Sequence, residues 1–509
     1  MARFKDYNYD QVKMIPIDFN RQILPGTFEY SLTYLVEHEL DLTIFDYRFN
    51  NDDNGRPAYD PKILLKIVLL AYSRGVTSSR KIEQLCRENI LFMALSADNQ
   101  PHFTTIADFI SSSSDEIARL FLQVLMVCDA EGLIGKEMFA IDGCKLPSNA
   151  SKAWSGKKAD LKKKKQKIDK AIRYMLKKHQ TSDQQDLDEV IVEREAQQQD
   201  KLQRTSRKIK AFLDENEERK GVSGKPVQSN ITDNESAKMK TSHGVVQGYT
   251  GVAAVDNKHQ VIIHAQAHGQ GQEHGLLEPT IEQAHQNLKL SKREIEQTKI
   301  TADSGYHNKK ALEYLQAHRL DGYIADTGFR SRDPRFKTFE RHKPKSRLKP
   351  KNKFTVDDFK VSIKNQTCRC PAGKTMWLKC KDGKIGNQRF MQFKADEHDC
   401  PACPLKKQCL RSPGQQTPRQ VNVRLGITEA KRTGVIEQMK QKIDSAMGRA
   451  IYSQRLGTVE PVFGNITENI GIKRFTLRGK RKVNAQWQLM AMIQNIFKIH
   501  RYGWQWGAT

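Results

Sequence analysis

The apolar positions between residues 58 and 132 fall into blocks that predict a set of helices. Asp60 and Pro61 open the first block, since Asp caps a helix and Pro fits its first turn. Short helices joined by a turn that contains Gly suit a helix-turn-helix DNA reader and an ordinary helical bundle equally well. Three later helices are predicted: one capped by Ser78 or Ser79, one beginning at Thr104 or Thr105, and one over 114–128.

After residue 138 the pattern changes to short apolar runs separated by polar turns, which predicts strands mixed with helices. Asp256 to Lys258 forms the predicted hairpin turn between two of the strands. The C-terminal segment returns to helix, with a wide apolar face between Trp487 and Phe497. The predicted strands are 138–141, 249–255, 261–267, 299–302 and 322–325, and the predicted helices are 157–219, 274–288 and 309–318.

The chain has 509 residues, of which 38% are hydrophobic, enough for roughly two to four domains with buried cores. Its formal net charge is +26 and its pI is about 9.6, which favours a polyanionic partner. Charge alone indicates only an affinity for anions. No apolar run approaches the roughly 18 residues needed to span a bilayer, and the N-terminus lacks a secretory signal. A cytoplasmic location is therefore expected.

Two aspartates share a local context that composition does not explain. Asp142 and Asp303 each follow a short apolar run directly and precede a glycine, Gly143 or Gly305. A carboxylate at the end of a strand projects into the crevice where mixed α/β sheets build sites, and two such strands side by side would bring both groups to one cation. The competing interpretation of either residue alone is a turn or cap residue.

Three motifs and the N-terminal segment resemble the DDE transposases of bacterial insertion sequences. Ile141-Asp142-Gly143 is similar to their first acidic motif, and Thr301 to Tyr306 is similar to the second. Tyr452, Arg455 and Glu460 resemble the tyrosine–arginine–glutamate signature that contains the third acid. The segment 48–109 resembles the all-helical N-terminal domain of the same transposases.

This resemblance implies a mixed α+β protein, with a helical N-terminal DNA-binding domain and an RNase H-like catalytic core. It implies DNA cleavage and strand transfer with two Mg²⁺ or Mn²⁺ ions, held by Asp142, Asp303 and Glu460. The expected partner is double-stranded DNA, both element ends and target, with a dimer in the synaptic complex and a nucleoid-associated location in a bacterium. The residues expected to contact DNA are Tyr452, Arg455, Lys473 and Arg80.

The third motif departs from the usual family pattern at two places. Four residues separate Arg455 from Glu460 where the family has three. Thr467 stands where the family has a lysine, so Lys473 is the nearest downstream substitute. Glu468 competes for the role of third acid but lacks the tyrosine and arginine context.

Six of the nine cysteines lie between Cys368 and Cys409, and their spacing predicts a structural zinc site. Four thiolates fill a tetrahedral shell and leave no open coordination position. Cys368 could replace Cys370, Cys380 is a bystander, and a set of free thiols is the alternative. The segment resembles the cysteine-bearing insertion of the eleven-eighty-two group of these transposases. The predicted ligands are Cys370, Cys400, Cys403 and Cys409.

The resemblance also divides the chain into segments. Two basic runs, 157–178 and 330–353, lie in the predicted insertions and favour phosphate contact over a merely solvated surface.

A DNA-binding regulator that contains zinc but has no activity, or an inactive transposase relative, is the alternative function. The predicted segments are a helical DNA-binding domain at 1–132, the core at 133–156 and 223–326, a charged helical insertion at 157–222, a basic, cysteine-bearing, β-rich insertion at 327–440, and C-terminal helices that complete the core at 441–509.

Overall fold

The protein is described here by a computed structural model, in which it forms two compact units. The first unit comprises Met1–Tyr306, Ala317–Gly322 and Ser453–Thr509, and the second comprises His307–Gln316 and Tyr323–Tyr452. Helices and several sheets together make a mixed α+β protein, as predicted. The described residues are 10, 16–49, 57–182, 189–221, 224–241, 244–336, 353–385, 388–410, 412, 414–415, 417–425 and 434–503.

The N-terminal part of the first unit is helical. As predicted, Asp60 caps a helix that begins at Pro61, and its side chain accepts a hydrogen bond from the Lys62 amide at 2.7 Å. Ser78 precedes the next long helix, although its side chain makes no capping bond. The helices are α1 (Phe28–Tyr34), α2 (Pro61–Ser73), α3 (Ser79–Glu88), α4 (Ile90–Leu95), α5 (Phe103–Ser112) and α6 (Ser114–Ala130).

Strands and helices then alternate up to the unit boundary. The segments are β1 (Met138–Pro147), β2 (Ser155–Gly156), α7 (Lys158–Ser182), α8 (Glu189–Glu215), β3 (Ser229–Asn230), β4 (Ala237–Thr241), β5 (Gly244–Asp256), β6 (Ile262–His268), α9 (Leu277–Asn287), α10 (Lys292–Gln297), β7 (Lys299–Ala302), α11 (Lys309–Ala317) and β8 (Asp321–Ile324). The strand predicted at 299–302 is therefore confirmed at both ends, and those predicted at 249–255, 261–267 and 322–325 are confirmed within one to five residues at their ends.

The second unit and the C-terminus contain the remaining segments. They are α12 (Phe329–Arg332), β9 (Lys360–Ser362), β10 (Thr367–Arg369), β11 (Thr375–Ile385), β12 (Gln388–Lys394), α13 (Lys406–Cys409), β13 (Gln420–Arg424), α14 (Val435–Asp444), α15 (Ala446–Gly464) and α16 (Lys480–Tyr502). Helix α15 crosses the boundary, and its residues from Ser453 onward belong to the first unit. Most of the predicted basic run 330–353 lies outside the described residues.

The main sheet has the order β4-β5-β1-β7-β8, with β6 also paired to β5. Strands β1, β5 and β6 are antiparallel neighbours, whereas β1 and β7 are parallel. The first two residues of β8, Asp321 and Gly322, belong to the first unit.

The apolar run predicted that strand β1 ends just before Asp142. The strand instead continues past this residue. It pairs with β5 from Phe139↔Asp256 to Pro147↔Gly248, so Asp142 lies inside the strand. The long partner strand supplies backbone hydrogen bonds beyond the apolar run, which extends the strand into polar sequence. The predicted turn at Asp256 is confirmed: its carboxylate accepts from the amides of Gly135, Lys136 and Lys258 at 3.0, 2.8 and 2.9 Å.

Helix α16 packs against the sheet through its apolar face. Trp487 is fully buried and donates from Nε1 to the Val252 carbonyl at 3.0 Å. A Cβ at Gly251 would lie 2.8 Å from the indole, so a glycine is required at this position. Asn495 accepts from the Ile262 amide at 2.7 Å and donates to its carbonyl at 2.8 Å. A side chain of α16 thus satisfies both backbone polar groups of Ile262, the first residue of β6.

The same helix also contacts the N-terminal helices. Gln486 donates to the hydroxyl of Tyr72, on α2, at 3.1 Å. Phe497 packs against Phe28, on α1, with ring centroids 4.6 Å apart. The helical N-terminal segment and the main sheet therefore share α16 and belong to one unit.

The second unit contains a five-stranded antiparallel sheet with the order β13-β12-β11-β10-β9. Cys368, on β10, is fully buried in the core of this sheet, with its sulfur 3.6 Å from that of Met376. Phe359, Phe393 and Val421 complete that core. Cys368 therefore behaves as a small apolar residue of the sheet.

Candidate active site

The two predicted aspartates lie side by side at the centre of the main sheet. Strands β1 and β7 are parallel and in register up to Ile141↔Ala302. The next residue of each strand segment is an aspartate, Asp142 or Asp303. Because parallel neighbours run in the same direction, continuing the register by one residue places these two carboxylates next to each other.

Arg455 lies between the aspartates. Its Nη1 donates to Oδ2 of Asp142 at 2.7 Å, and its Nη2 is 3.8 Å from Oδ1 of Asp303. The Arg455 side chain is only 6% exposed. Helix α15 directs it inward on the same face as the buried Val459 and Val462, which follow at helical spacing.

Burial and charge act on Asp142 in opposite directions. Burial is the largest influence and raises the pKa of this carboxyl, while the Arg455 guanidinium and the Gly143 amide lower it and Asp303 raises it. The pKa of Asp142 remains raised on balance. A cation placed beside Asp142 would favour its charged form.

A third acidic residue, Glu273, lies close to the pair and was missed by the sequence analysis. Burial, opposed by Lys145 and reinforced by Asp142 and Asp303, raises the pKa of its carboxyl to about 7. Glu273 lies in the loop between β6 and α9, and its position near the aspartates depends on how that loop folds back. The only signal in the sequence was an acidic residue in a glycine-rich strand-to-helix connection.

The glycines that follow the aspartates make room for Glu273. A Cβ at Gly143 would lie 2.9 Å from one Glu273 carboxyl oxygen, Oε1. A Cβ at Gly305 would lie 2.5 Å from the other, Oε2. In the sequence these glycines mark only the ends of the apolar runs, whereas in the structure they have a steric role.

Glu460 lies on a different face of α15 from Arg455. Five positions along an α-helix correspond to a rotation of about 140°. Arg455 is buried, whereas Glu460 is exposed. The structure thus brings Asp142, Asp303 and Arg455 together, while Glu460 is exposed on another face of the helix. The role of Glu460 as third acid stays a prediction.

Pro461 lies within α15 rather than in its first turn. A proline there removes the amide that would bond the carbonyl four residues earlier, that of Gly457. The Gln260 side chain donates to this carbonyl instead, at 2.8 Å. The helix therefore continues through Pro461 to Gly464 and into a π-helical turn at Asn465–Asn469.

The other residues predicted to contact DNA each have a partner of their own. Lys473 is exposed and pairs with Glu468, the competing third acid, at 2.8 Å. Arg80 lies over the ring of Phe103, with its Cζ 4.6 Å from the ring centroid. In the second unit, the Tyr452 ring packs edge-on against Phe329 at 5.2 Å.

The four cysteines predicted as zinc ligands line one pocket of the second unit. Burial raises the pKa of the Cys409 thiol, Arg419 lowers it, and the nearby Cys400, Cys370 and Cys403 raise it further. The Arg419 amide donates to Cys400 Sγ at 3.5 Å. Cys370 begins a tight turn in which the Gly373 amide donates to its carbonyl at 2.8 Å.

Neither cluster is preassembled around a metal position. In the described ranges, no three or more His, Cys, Asp or Glu side chains are grouped so that they could hold a metal ion. At the aspartates a buried guanidinium occupies the space between the acids. The donors are nevertheless of suitable chemistry, since carboxylate oxygens suit Mg²⁺ or Mn²⁺ and thiols suit zinc.

Two family models match the chain. The model described as Transposase DDE domain matches residues 369–500, which include the cysteine pocket, Arg455 and Glu460. The model described as Transposase domain (DUF772) matches residues 18–112, which include α1 to α5. These matches confirm the resemblance to DDE transposases of insertion sequences, while membership of the eleven-eighty-two group stays a prediction.

Asp142 and Asp303 lie outside both matched segments. A comparison with curated proteins found no match. No helix among the described residues is long and apolar enough to cross a membrane.

Proposed function

We propose that this protein is a metal-dependent DNA transposase that cuts the ends of an insertion sequence and joins them to target DNA. The observation that supports this most directly is the alignment of Asp142 and Asp303 on parallel neighbouring strands, joined by Arg455. The strand order of the main sheet is compatible with an RNase H-like core, in which such a pair of acids is expected.

In this proposal, Asp142 and Asp303 hold two Mg²⁺ or Mn²⁺ ions, with Glu460 as the predicted third acid. The ions would activate the attacking oxygen and stabilise the leaving oxygen of each phosphodiester exchange. Water first breaks the bond at the element end, and the freed 3′-hydroxyl then attacks a target phosphate and displaces another 3′-oxygen. In the first step a P–O bond to water replaces the P–O bond to the 3′-oxygen, which leaves a 3′-hydroxyl and a 5′-phosphate. In the second step one phosphodiester replaces another, and the proton of the attacking hydroxyl goes to the displaced 3′-oxygen.

Arg455 has two roles in this proposal. Without metal, its guanidinium balances the charge of the two aspartates. When a divalent ion takes over that role, the guanidinium becomes available to a phosphate oxygen of DNA, a partner that arginine binds strongly. The same residue thereby links metal binding to DNA binding.

The charge of the chain supports DNA as the partner. Helix α7 contains most of the basic run 157–178 and pairs with α8 through a small core of Leu161, Ile209 and Leu213. Many of its lysines are exposed along the helix, where they are accessible to a phosphate backbone. Double-stranded DNA binding and a dimer at synapsis are further parts of the proposal.

A structural zinc ion at Cys370, Cys400, Cys403 and Cys409 is also proposed. The observation in its favour is that these four residues line one pocket, while Cys368 is buried in the neighbouring sheet core. When bound, zinc would fix the turns that begin at Cys370 and Cys400 against β13.

A cleavage assay tests the proposed function. Full-length protein is mixed with labelled DNA that carries the ends flanking its gene, in Mg²⁺, in Mn²⁺ and in EDTA. We expect metal-dependent nicks at the element boundary that are lost in Asp142→Asn and Asp303→Ala, while DNA binding persists in both variants. DNA binding without cleavage by the unmodified protein would instead favour the non-catalytic regulator. Normal cleavage by Asp142→Asn would show that Asp142 does not belong to the catalytic site.

A further inference from the structure

We propose that Glu273 supplies a third carboxylate to the divalent-cation site of Asp142 and Asp303. This inference rests on the proposed function, because it assigns a further ligand to the same site. It concerns a residue in the connection between β6 and α9, far from the three sequence motifs.

The position of the Glu273 carboxyl group carries the inference. One of its oxygens lies against Gly143, the residue directly after Asp142, and the other lies against Gly305, two residues after Asp303. A single carboxyl group therefore spans the backbone of both strands that hold the aspartates. The Leu276 amide donates to the Glu273 carbonyl at 3.0 Å, which fixes the turn from which the side chain reaches inward.

The local balance of charge points to a cation. Asp142, Asp303 and Glu273 are three acidic groups that act electrostatically on one another. The basic groups acting on them are Arg455, which contacts both aspartates, and Lys145, which acts on Glu273. Partly buried carboxyls with incomplete compensation are costly, and a divalent ion offsets that cost more completely than one shared guanidinium.

Glu273 is better placed than Glu460 in this structure. Glu460 is exposed on the face of α15 turned about 140° from Arg455. Glu273 instead acts electrostatically on both aspartates, and its two carboxyl oxygens lie against the glycines that follow them. In the proposed site the ion takes the place of the Arg455 guanidinium between the aspartates, and Glu273 supplies the third carboxylate.

Direct measurement of Mn²⁺ binding to the full-length protein tests the inference without relying on activity. Isothermal titration calorimetry compares the unmodified chain with Glu273→Gln, Asp142→Asn and Glu278→Gln. Glu278→Gln is the matched control, since Glu278 is an exposed acid on the adjoining helix α9. We expect Glu273→Gln to weaken Mn²⁺ binding by about 10- to 100-fold and Glu278→Gln to leave it unchanged.

Thermal unfolding in EDTA shows whether each variant folds, and Glu273→Gln should be at least as stable as the unmodified chain because it removes a partly buried carboxyl. Glu273→Asp distinguishes a metal ligand from a residue that acts only through its charge, because the variant keeps the negative charge but has a shorter side chain. A ligand role predicts weaker Mn²⁺ binding in Glu273→Asp as well, and recovery of the original affinity would overturn it.

The remaining outcomes distinguish this inference from the proposed function. If Asp142→Asn loses Mn²⁺ and Glu273→Gln binds it normally, the Glu273 assignment is wrong and the transposase site stands. If Asp142→Asn also binds Mn²⁺ normally, both proposals fail together. Loss of Mn²⁺ in both variants, with normal binding by Glu278→Gln, supports the inference.

Discussion

Arg455 donates a hydrogen bond to Asp142 at 2.7 Å across 313 positions of sequence. The pair joins α15 to β1, and the Arg455 side chain is almost entirely buried. An ion pair of this kind is costly to break from one side, because the remaining charge is left without a partner. Two consequences follow, one for stability and one for metal binding.

Arg455→Leu should destabilise the metal-free protein by roughly 3 kcal/mol, because it leaves Asp142 buried beside Asp303 without its counterion. Mn²⁺ should restore part of the lost stability, since the ion would replace the guanidinium charge. Urea unfolding in EDTA and in Mn²⁺ measures both effects. The matched control is Lys473→Leu, which removes an exposed pair and should cost less than about 1 kcal/mol.

Glu460→Gln tests the third acid predicted from the sequence motif. If Glu460 completes the catalytic site only on DNA, this variant should bind element ends normally and cut them at least about 100-fold more slowly. Cleavage and gel-shift assays on the same DNA measure the two properties. Glu468→Gln is the control, because Glu468 is an exposed acid of the following π-helical turn. Normal cleavage by Glu460→Gln would leave Glu468 and Glu273 as the candidates, and loss of cleavage in Glu468→Gln would then assign the role to Glu468.

Gly305→Ala tests the steric role of this glycine. The new methyl group would lie 2.5 Å from Oε2 of Glu273 and should push that carboxyl aside at little cost to folding. We expect Mn²⁺ binding to weaken by about tenfold. Gly457→Ala is the control: a Cβ there contacts nothing within 4 Å, and alanine favours a helix by about 0.5 to 1 kcal/mol. Unchanged Mn²⁺ affinity in Gly305→Ala would mean that Glu273 can move without loss of the site.

Stability should fall on acidification between pH 6.5 and 4. Burial lowers the pKa of His264, His268 and His285 to about 4. The unfolded chain binds protons at these histidines below about pH 6.5 while the folded chain does not, so the unfolding free energy decreases through that window. For the almost fully buried His264 the loss approaches about 3 kcal/mol.

Urea unfolding at several pH values measures this dependence. His264→Gln should make it shallower, and His398→Gln, at an exposed position, should leave it unchanged. A dependence that is equally steep in both variants would show that His264 is not the group responsible.

Zinc content tests the cysteine pocket. We expect about one equivalent of zinc per chain in protein purified without chelator, as one four-thiolate site predicts. Cys403→Ser should lose it, because Cys403 lines the pocket, whereas Cys380→Ser should retain it. Quantitative metal analysis of the two variants decides the matter, and equal zinc in both would contradict the ligand set.

The sequence was sufficient to predict the parts of the site that depend on strand patterning. Asp142 and Asp303 follow apolar runs, and parallel pairing of those runs brings them together. Glu273 could not be predicted in the same way, because its position depends on the path of an irregular loop. The direction in which Glu460 points depends on its angle around α15 relative to Arg455. The spacing of the two residues gives that angle only once this segment is known to be helical, and the sequence left this open because Pro461 follows directly.

In the cysteine region, too, the sequence predicted part of the site and left the rest to be decided by the structure. The spacing of the cysteines alone left Cys368 and Cys370 interchangeable as zinc ligands. The alternation of side chains along a strand shows that Cys368 faces the sheet core only after the limits of β10 are known. The structure places Cys368 in the sheet core and Cys370 in the pocket. Long-range packing therefore decides which of two equivalent-looking thiols is accessible.

The bonds that Asn495 makes to both backbone groups of Ile262 limit how copies of this chain can associate. A strand at the rim of a sheet normally offers its amides and carbonyls to any extended segment that approaches, which leads to aggregation. At Ile262 these groups are already bonded, and at Ala267 the amide is bonded by Asn484 at 2.8 Å. In the proposed function several copies bind along one DNA molecule, and this edge is then protected from intermolecular strand pairing at those two positions.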